Sequence, residues 1–157
     1  MITPRQVALT LAAAAIGFAG AAALAATGTK RAFTIAAIEP KGGTLVSKEP
    51  FPTTPLPEGG GYELKQPNSD GRWEVSAYLW STPQIHVKAG DEVTLSFVGL
   101  NGASHPTTIE GYDKSFTLKR GEVQNVSFVA DKPGVYRIIC SKHQPTMVSE
   151  LIVDENS

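Results

Sequence analysis

"GVYRIICSKHQPTMVSELIV", residues Gly134–Val153, holds the only cysteine of a 157-residue chain. Side chains in "GVYRIIC" alternate, so Val135, Arg137 and Ile139 share one face and Tyr136, Ile138 and Cys140 share the other. Arginine belongs in water, which turns Cys140 inward at the core-facing end of a strand. "SKHQP" has no strand alternation, and Pro145 cannot donate to a ladder, so a loop follows. "SELIV" (Ser149–Val153) then resumes a strand. The unit is strand, loop, strand, with a lone thiol at the root of the loop.

Outward from this unit the chain repeats the same grammar. Short β-type runs read as strands at 32–38, 74–80, 84–87, 92–98, 115–118, 123–130 and 134–139, with the last at 149–153. "KAGDE", "KRGE" and "DKPG" are the turns between them. Neither a long helical periodicity nor an internal repeat interrupts the pattern. The fold expected is all-β, a Greek-key β-sandwich or barrel. Residues 41–71 differ: "EPFPTTPLPEGGG" and "QPNSDG" are Pro/Gly-rich and read as a surface excursion after the first strand, ordered only where it packs on the sandwich.

The N-terminus has its own signature. "MITPRQ" carries one arginine, and Val7–Ala26 contains no charge and is mostly alanine. "ALA" at 23–25 is a small-x-small cleavage pattern. Residues 1–26 therefore read as a secretory signal peptide, with an uncleaved membrane anchor as the alternative, and residues 27–157 as one folded domain. Such a chain works in the periplasm or otherwise outside the cytoplasm. A net charge of −1 without a basic patch argues against nucleic acid as a partner. One cysteine cannot pair within the chain, and in an exported protein an odd cysteine is a liability unless it is buried or used.

Use is what the neighbourhood suggests. His143 follows Cys140 after two residues and Met147 follows after three more. Thiolate, imidazole and thioether together favour copper, whereas zinc has little use for a thioether. Two histidines, one cysteine and a weak axial methionine form the electron-transfer copper pattern, which requires one more histidine. The chain has three. His86 in "PQIHVKAG" shares its face with Gln84 and Lys88 and points to solvent. His105 in "NGASHPTTIEGY" remains, expected on a loop at a strand end.

These stretches resemble the cupredoxin family, from "STPQIHVKAGDEVTLSFVGLNGASHPTTIEG" through "KSFTLKRGEVQNVSFVADKPGVYRIICSKHQPTMVSELIV". In that family the first histidine comes from a mid-chain loop and the remaining ligands from the last loop, which lands on His105, Cys140, His143 and Met147. "VKAGDEV", "SHPTTIEGY" and "FVADKPGVY" look most like nitrosocyanin and the copper domains of cytochrome oxidase subunit II and nitrous oxide reductase. A binuclear centre of the latter kind needs a second cysteine four residues after the first, and position 144 is Gln. The red copper site of nitrosocyanin uses a late histidine and an upstream glutamate, whose places here hold Met147, one residue early, and His105. Pro106 stands where typical members have Asn or Ser after the first histidine.

The resemblance implies a monomeric, mononuclear type 1 copper protein. It would carry single electrons with one ion cycling between Cu(I) and Cu(II), and would not be an enzyme. His143 would present its edge near the surface as the electron port, with Pro106, Pro145 and Val148 as an apolar docking patch. Expected partners are redox proteins such as a cytochrome, an oxidase or a reductase, with a membrane involved only if residues 1–26 stay attached. The rival readings are a periplasmic copper carrier and a nitrosocyanin-like copper enzyme with an open metal position.

Overall fold

The computed structural model describes residues 28–57 and 59–156, and the signal-peptide reading of residues 1–26 lies outside them. Twelve strands form among the described residues, and no helix there is long and apolar enough to cross a membrane. In chain order they are β1 (Lys30–Ile38), β2 (Lys41–Leu45), β3 (Tyr62–Lys65), β4 (Arg72–Ala77), β5 (Leu79–Trp80) and β6 (Gln84–Lys88). Then come β7 (Glu92–Gly99), β8 (Ser104–Ile109), β9 (Lys114–Lys119), β10 (Val123–Val129), β11 (Gly134–Cys140) and β12 (Val148–Asp154).

Two sheets make the expected Greek-key sandwich, one ordered β10-β7-β1-β5 and the other β6-β12-β11-β8-β9. Strand alternation builds the core between them. In β7, "EVTLSFVG", Val93, Leu95 and Phe97 are buried while the intervening side chains are partly exposed. Ile35 of β1, Ile85 of β6, Leu118 of β9, Ile138 of β11 and Leu151 of β12 join them. Each such side chain taken from water contributes about 1.5–3 kcal/mol, which fixes the register of every strand that carries one. The parity read from the sequence holds in β11, where Cys140 is buried and Arg137 is outside, paired with Glu110.

The excursion is better ordered than expected. β2 and β3 flank β4 in a third, three-stranded sheet. Trp73 anchors it: its ring is buried against Phe51, centroids 5.6 Å apart, and its Nε1–H donates to the Glu49 carbonyl at 2.9 Å. The run 74–80, read as one strand, is two. β4 belongs to the third sheet and β5 to the sandwich, and Tyr78 is the hinge between them. His105 likewise is not on a loop but is the second residue of β8.

Candidate metal centre

Register explains why residues distant in sequence meet. β8 and β11 are antiparallel with Cys140 opposite Thr107, and His105 lies two residues from Thr107 on the same face. His105 therefore projects just beyond the end of β11, over the loop that follows Cys140. That loop folds back tightly: the His143 N–H donates to the Cys140 carbonyl at 3.2 Å and the Met147 N–H to the His143 carbonyl at 3.0 Å. The Cys140 N–H closes it on the Met147 carbonyl at 3.1 Å, and the Ser141 N–H ties it to the Pro106 carbonyl of β8 at 2.9 Å.

Three donors converge as a result. His105 Nδ1 lies 3.2 Å from His143 Nδ1, and Cys140 Sγ lies 3.3 Å from the same atom. All three lie within 4.8 Å of one another, and all three residues are buried, with His105 and Cys140 fully covered and His143 5 % exposed. Met147, fully buried, packs into the sandwich core at the end of the same loop. His86 stands apart on the surface beside Asp154, at 3.7 Å.

The tautomer of His105 is set by its other nitrogen. A carbonyl oxygen can only accept, so the contact of 3.0 Å between His105 Nε2 and Asn101 O places the proton on Nε2 and leaves Nδ1 bare toward the cluster. Gly102 makes room for this. Its φ is +78°, and a Cβ there would stand 2.8 Å from the His105 ring. Asn101 is itself clamped, since its Oδ1 accepts the Glu39 N–H at 2.6 Å and its Nδ2 donates to the Glu39 carbonyl at 2.9 Å.

His143 is gripped by its face. The Tyr78 ring lies parallel to the imidazole, centroids 3.7 Å apart and planes 7° from parallel. The sequence led us to expect an exposed His143 edge serving as the port, and the structure corrects this: the residue is buried and Tyr78 covers the face of its ring. Gly59–Gly61 press on the ligand loop so closely that a Cβ on Gly60 would overlap the Lys142 carbonyl. The Thr146 hydroxyl donates, bifurcated, to the carbonyls of Gly61 at 2.6 Å and Tyr78 at 2.7 Å.

The electrostatics follow from burial. Burial, helped by the His105 ring and the Lys142 charge, lowers the His143 pKa to about 4. Burial and Lys142 lower that of His105 as well, against the pull of its bond to Asn101. Burial raises the Cys140 thiol, while backbone N–H groups of Lys142 and His143 and the Lys142 charge draw it down. The metal-free cluster thus favours neutral groups, and a bound cation would displace the thiol proton. Burial also works against the charge of Glu39, but bonds from Lys41, Tyr78 and Ser76 outweigh it and hold its carboxyl below the usual range.

The donor set fits one copper ion. Two imidazole nitrogens and a thiol gathered within a few ångströms are a trigonal His2Cys arrangement, and a thioether in the same loop suits copper better than zinc. Asn101, Tyr78, Glu39 and the Gly59–Gly61 knuckle were not singled out in the sequence. Their role comes from contacts between segments that no local pattern announces.

Comparison with known proteins agrees with the fold. No protein-family model matches the chain. The nitrous-oxide reductase of Ralstonia nicotianae is 32% identical over 101 residues, 62% of this chain and 16% of that protein. The nitrous-oxide reductase of Cupriavidus necator is 37% identical over 68 residues, 41% of this chain and 11% of that protein. The chain thus spans less than a fifth of the length of these relatives. Among solved structures, the copper nitrite reductase of Nitrosomonas europaea superposes with a TM-score of 0.53 at 18% identity, over 82% of this chain and 43% of that one, a likeness of fold.

Proposed function

We propose that this chain, a member of the cupredoxin family by its fold and by the sequence it shares with nitrous-oxide reductases, carries single electrons between redox partners outside the cytoplasm. The observation that supports this best is the convergence of His105, Cys140 and His143 in a buried, cross-braced pocket. Cys140 would bind as thiolate, His105 and His143 through Nδ1, and Met147 as the weak axial thioether. The ion supplies the one-electron couple between Cu(I) and Cu(II). The chain's own groups hold the donors still: Asn101 fixes the His105 tautomer, Tyr78 fixes the plane of His143, and the loop's backbone bonds fix Cys140 against Met147. A carrier that hands copper on needs exposed, exchangeable ligands, and burial of all three donors favours a resident ion.

The test is copper(II) titration of residues 27–157 with visible and EPR spectra. The reading requires one ion per chain and an intense thiolate-to-copper band that disappears in Cys140→Ser and weakens in His105→Ala. A colourless chain sinks it. A spectrum that changes when azide is added would move the assignment to a copper enzyme with an open position.

A further inference from the structure

An electron that reaches a buried centre must cross the protein, and electronic coupling falls steeply with each gap in the path. Among the groups packed on the two ligand rings, His105 is backed by Gly102 and the Asn101 carbonyl and has no exposure. His143 is nearly as covered. Tyr78 is different. It touches His143 face to face, lies 6.1 Å from His105 between ring centroids, and is only half-buried. Burial, together with the charge of the Glu39 carboxylate, raises the Tyr78 hydroxyl pKa, and Glu39 is 6% exposed and borders a cleft of about 260 Å³ on the third sheet, alongside Lys41, Glu63 and Glu74.

We propose that Tyr78 is the electron entry residue of this centre: its stacked ring relays the electron between the surface beside Glu63 and His143, in place of the ligand's own edge. This rests on the electron-carrier reading above. One electron passes between an outer-sphere partner and the centre along the same path in either direction, the partner oxidised as the centre is reduced or reduced as the centre is oxidised. No bond forms or breaks, Tyr78 is not itself oxidised, and its hydroxyl keeps its proton. The Thr146 hydroxyl serves the relay by donating to the Tyr78 carbonyl, and the stack on His143 holds the ring itself.

The test uses the copper-loaded chain and stopped-flow oxidation by a cationic tris-phenanthroline cobalt(III) complex. Tyr78→Leu slows the reaction by about an order of magnitude beyond what its own measured reduction potential accounts for, and Tyr78→Phe, which restores the ring over His143, recovers most of the loss. Charge locates the entry point independently, should Tyr78→Leu not fold. Glu63→Lys, beside Tyr78, slows the cationic oxidant about threefold at low ionic strength and loses that effect in high salt, while Asp131→Lys at the opposite end of β11 does not. Electron–nuclear double resonance of the Cu(II) protein carrying ring-deuterated tyrosine shows deuterium couplings that vanish in Tyr78→Phe. A parent that forms no coloured centre overturns the electron-carrier reading and this one with it. A parent that transfers electrons at a rate indifferent to Tyr78→Leu, or equally sensitive to Glu63→Lys and Asp131→Lys, overturns the relay alone.

Discussion

The Nε2–H of His105 donates to the carbonyl oxygen of Asn101, four residues earlier and 3.0 Å away, so the ring is oriented by the backbone of the loop that leads into β8. That backbone is held by the Asn101 side chain, which bonds both main-chain groups of Glu39. Asn101→Ala leaves those groups unpaired in a half-buried position and frees the loop. We expect about 1–3 kcal/mol less stability in urea denaturation. Copper affinity, measured by competition with a chelator, should drop about 10–100-fold.

Cys140→Ser separates the chemistry of the sulfur from its packing. The side chain is fully buried and the two residues are nearly the same shape. The metal-free fold should survive with a loss of about 1–3 kcal/mol, while the visible band on adding copper(II) disappears. Far-ultraviolet circular dichroism of the variant checks the first part and absorption spectra the second.

Acid should loosen the metal-free protein before its carboxylates matter. His143 has a folded pKa of about 4, below the value of 6.5 for an unperturbed histidine, and His105 is lowered too. Between these values the unfolded chain binds more protons than the folded one, so stability rises with pH there. It is fully present above pH 6.5 and is lost progressively as pH falls toward about 4. Melting temperatures across this window should fall with acidification in the parent, and less steeply in His143→Gln. A pH-independent melting temperature would contradict the burial of both rings.

Gly60→Ala probes the contact between the turn that leads into β3 and the ligand loop. The added methyl would overlap the Lys142 carbonyl, a backbone atom next to His143. Overpacking of this kind costs about 1–3 kcal/mol. Because the strain falls on the loop that carries His143, the copper EPR parameters should shift as well. Gly42→Ala, in β2 of the third sheet and with nothing within 4 Å of its added carbon, should shift neither.

Much of this molecule is legible in its sequence, and for identifiable reasons. Alternation in "GVYRIIC" and "EVTLSFV" is a local consequence of burying one face, so the strands and the inward thiol could be read directly. Donor chemistry at short spacing brought out Cys140 and His143, and counting histidines brought in His105. What stayed hidden was set by tertiary contact. "EVSAYLW" reads as one strand because each half alternates, yet Tyr78 is where the chain leaves one sheet for another. "KGGTL" and "YELK" are too short and too polar to announce strands, and they become strands because "RWEVSA" lies between them with Trp73 as anchor. His143 was expected at the surface because a loop histidine usually is. Its cover comes from a tyrosine sixty-five positions away, which no window of sequence contains.

The parallel pairing of β1 with β7 joins Lys30 to Glu92, and that of β6 with β12 joins Gln84 to Glu150. Closures this distant are slow, because chain entropy must be spent before non-local pairing returns anything. Cys140 and His105 belong to strands aligned only once those sheets exist, so a nascent chain offers an ion the Cys140–His143 loop alone and not the three-donor centre. On refolding, β-structure should return first and colour afterwards, making the metal a witness to completed assembly instead of its seed.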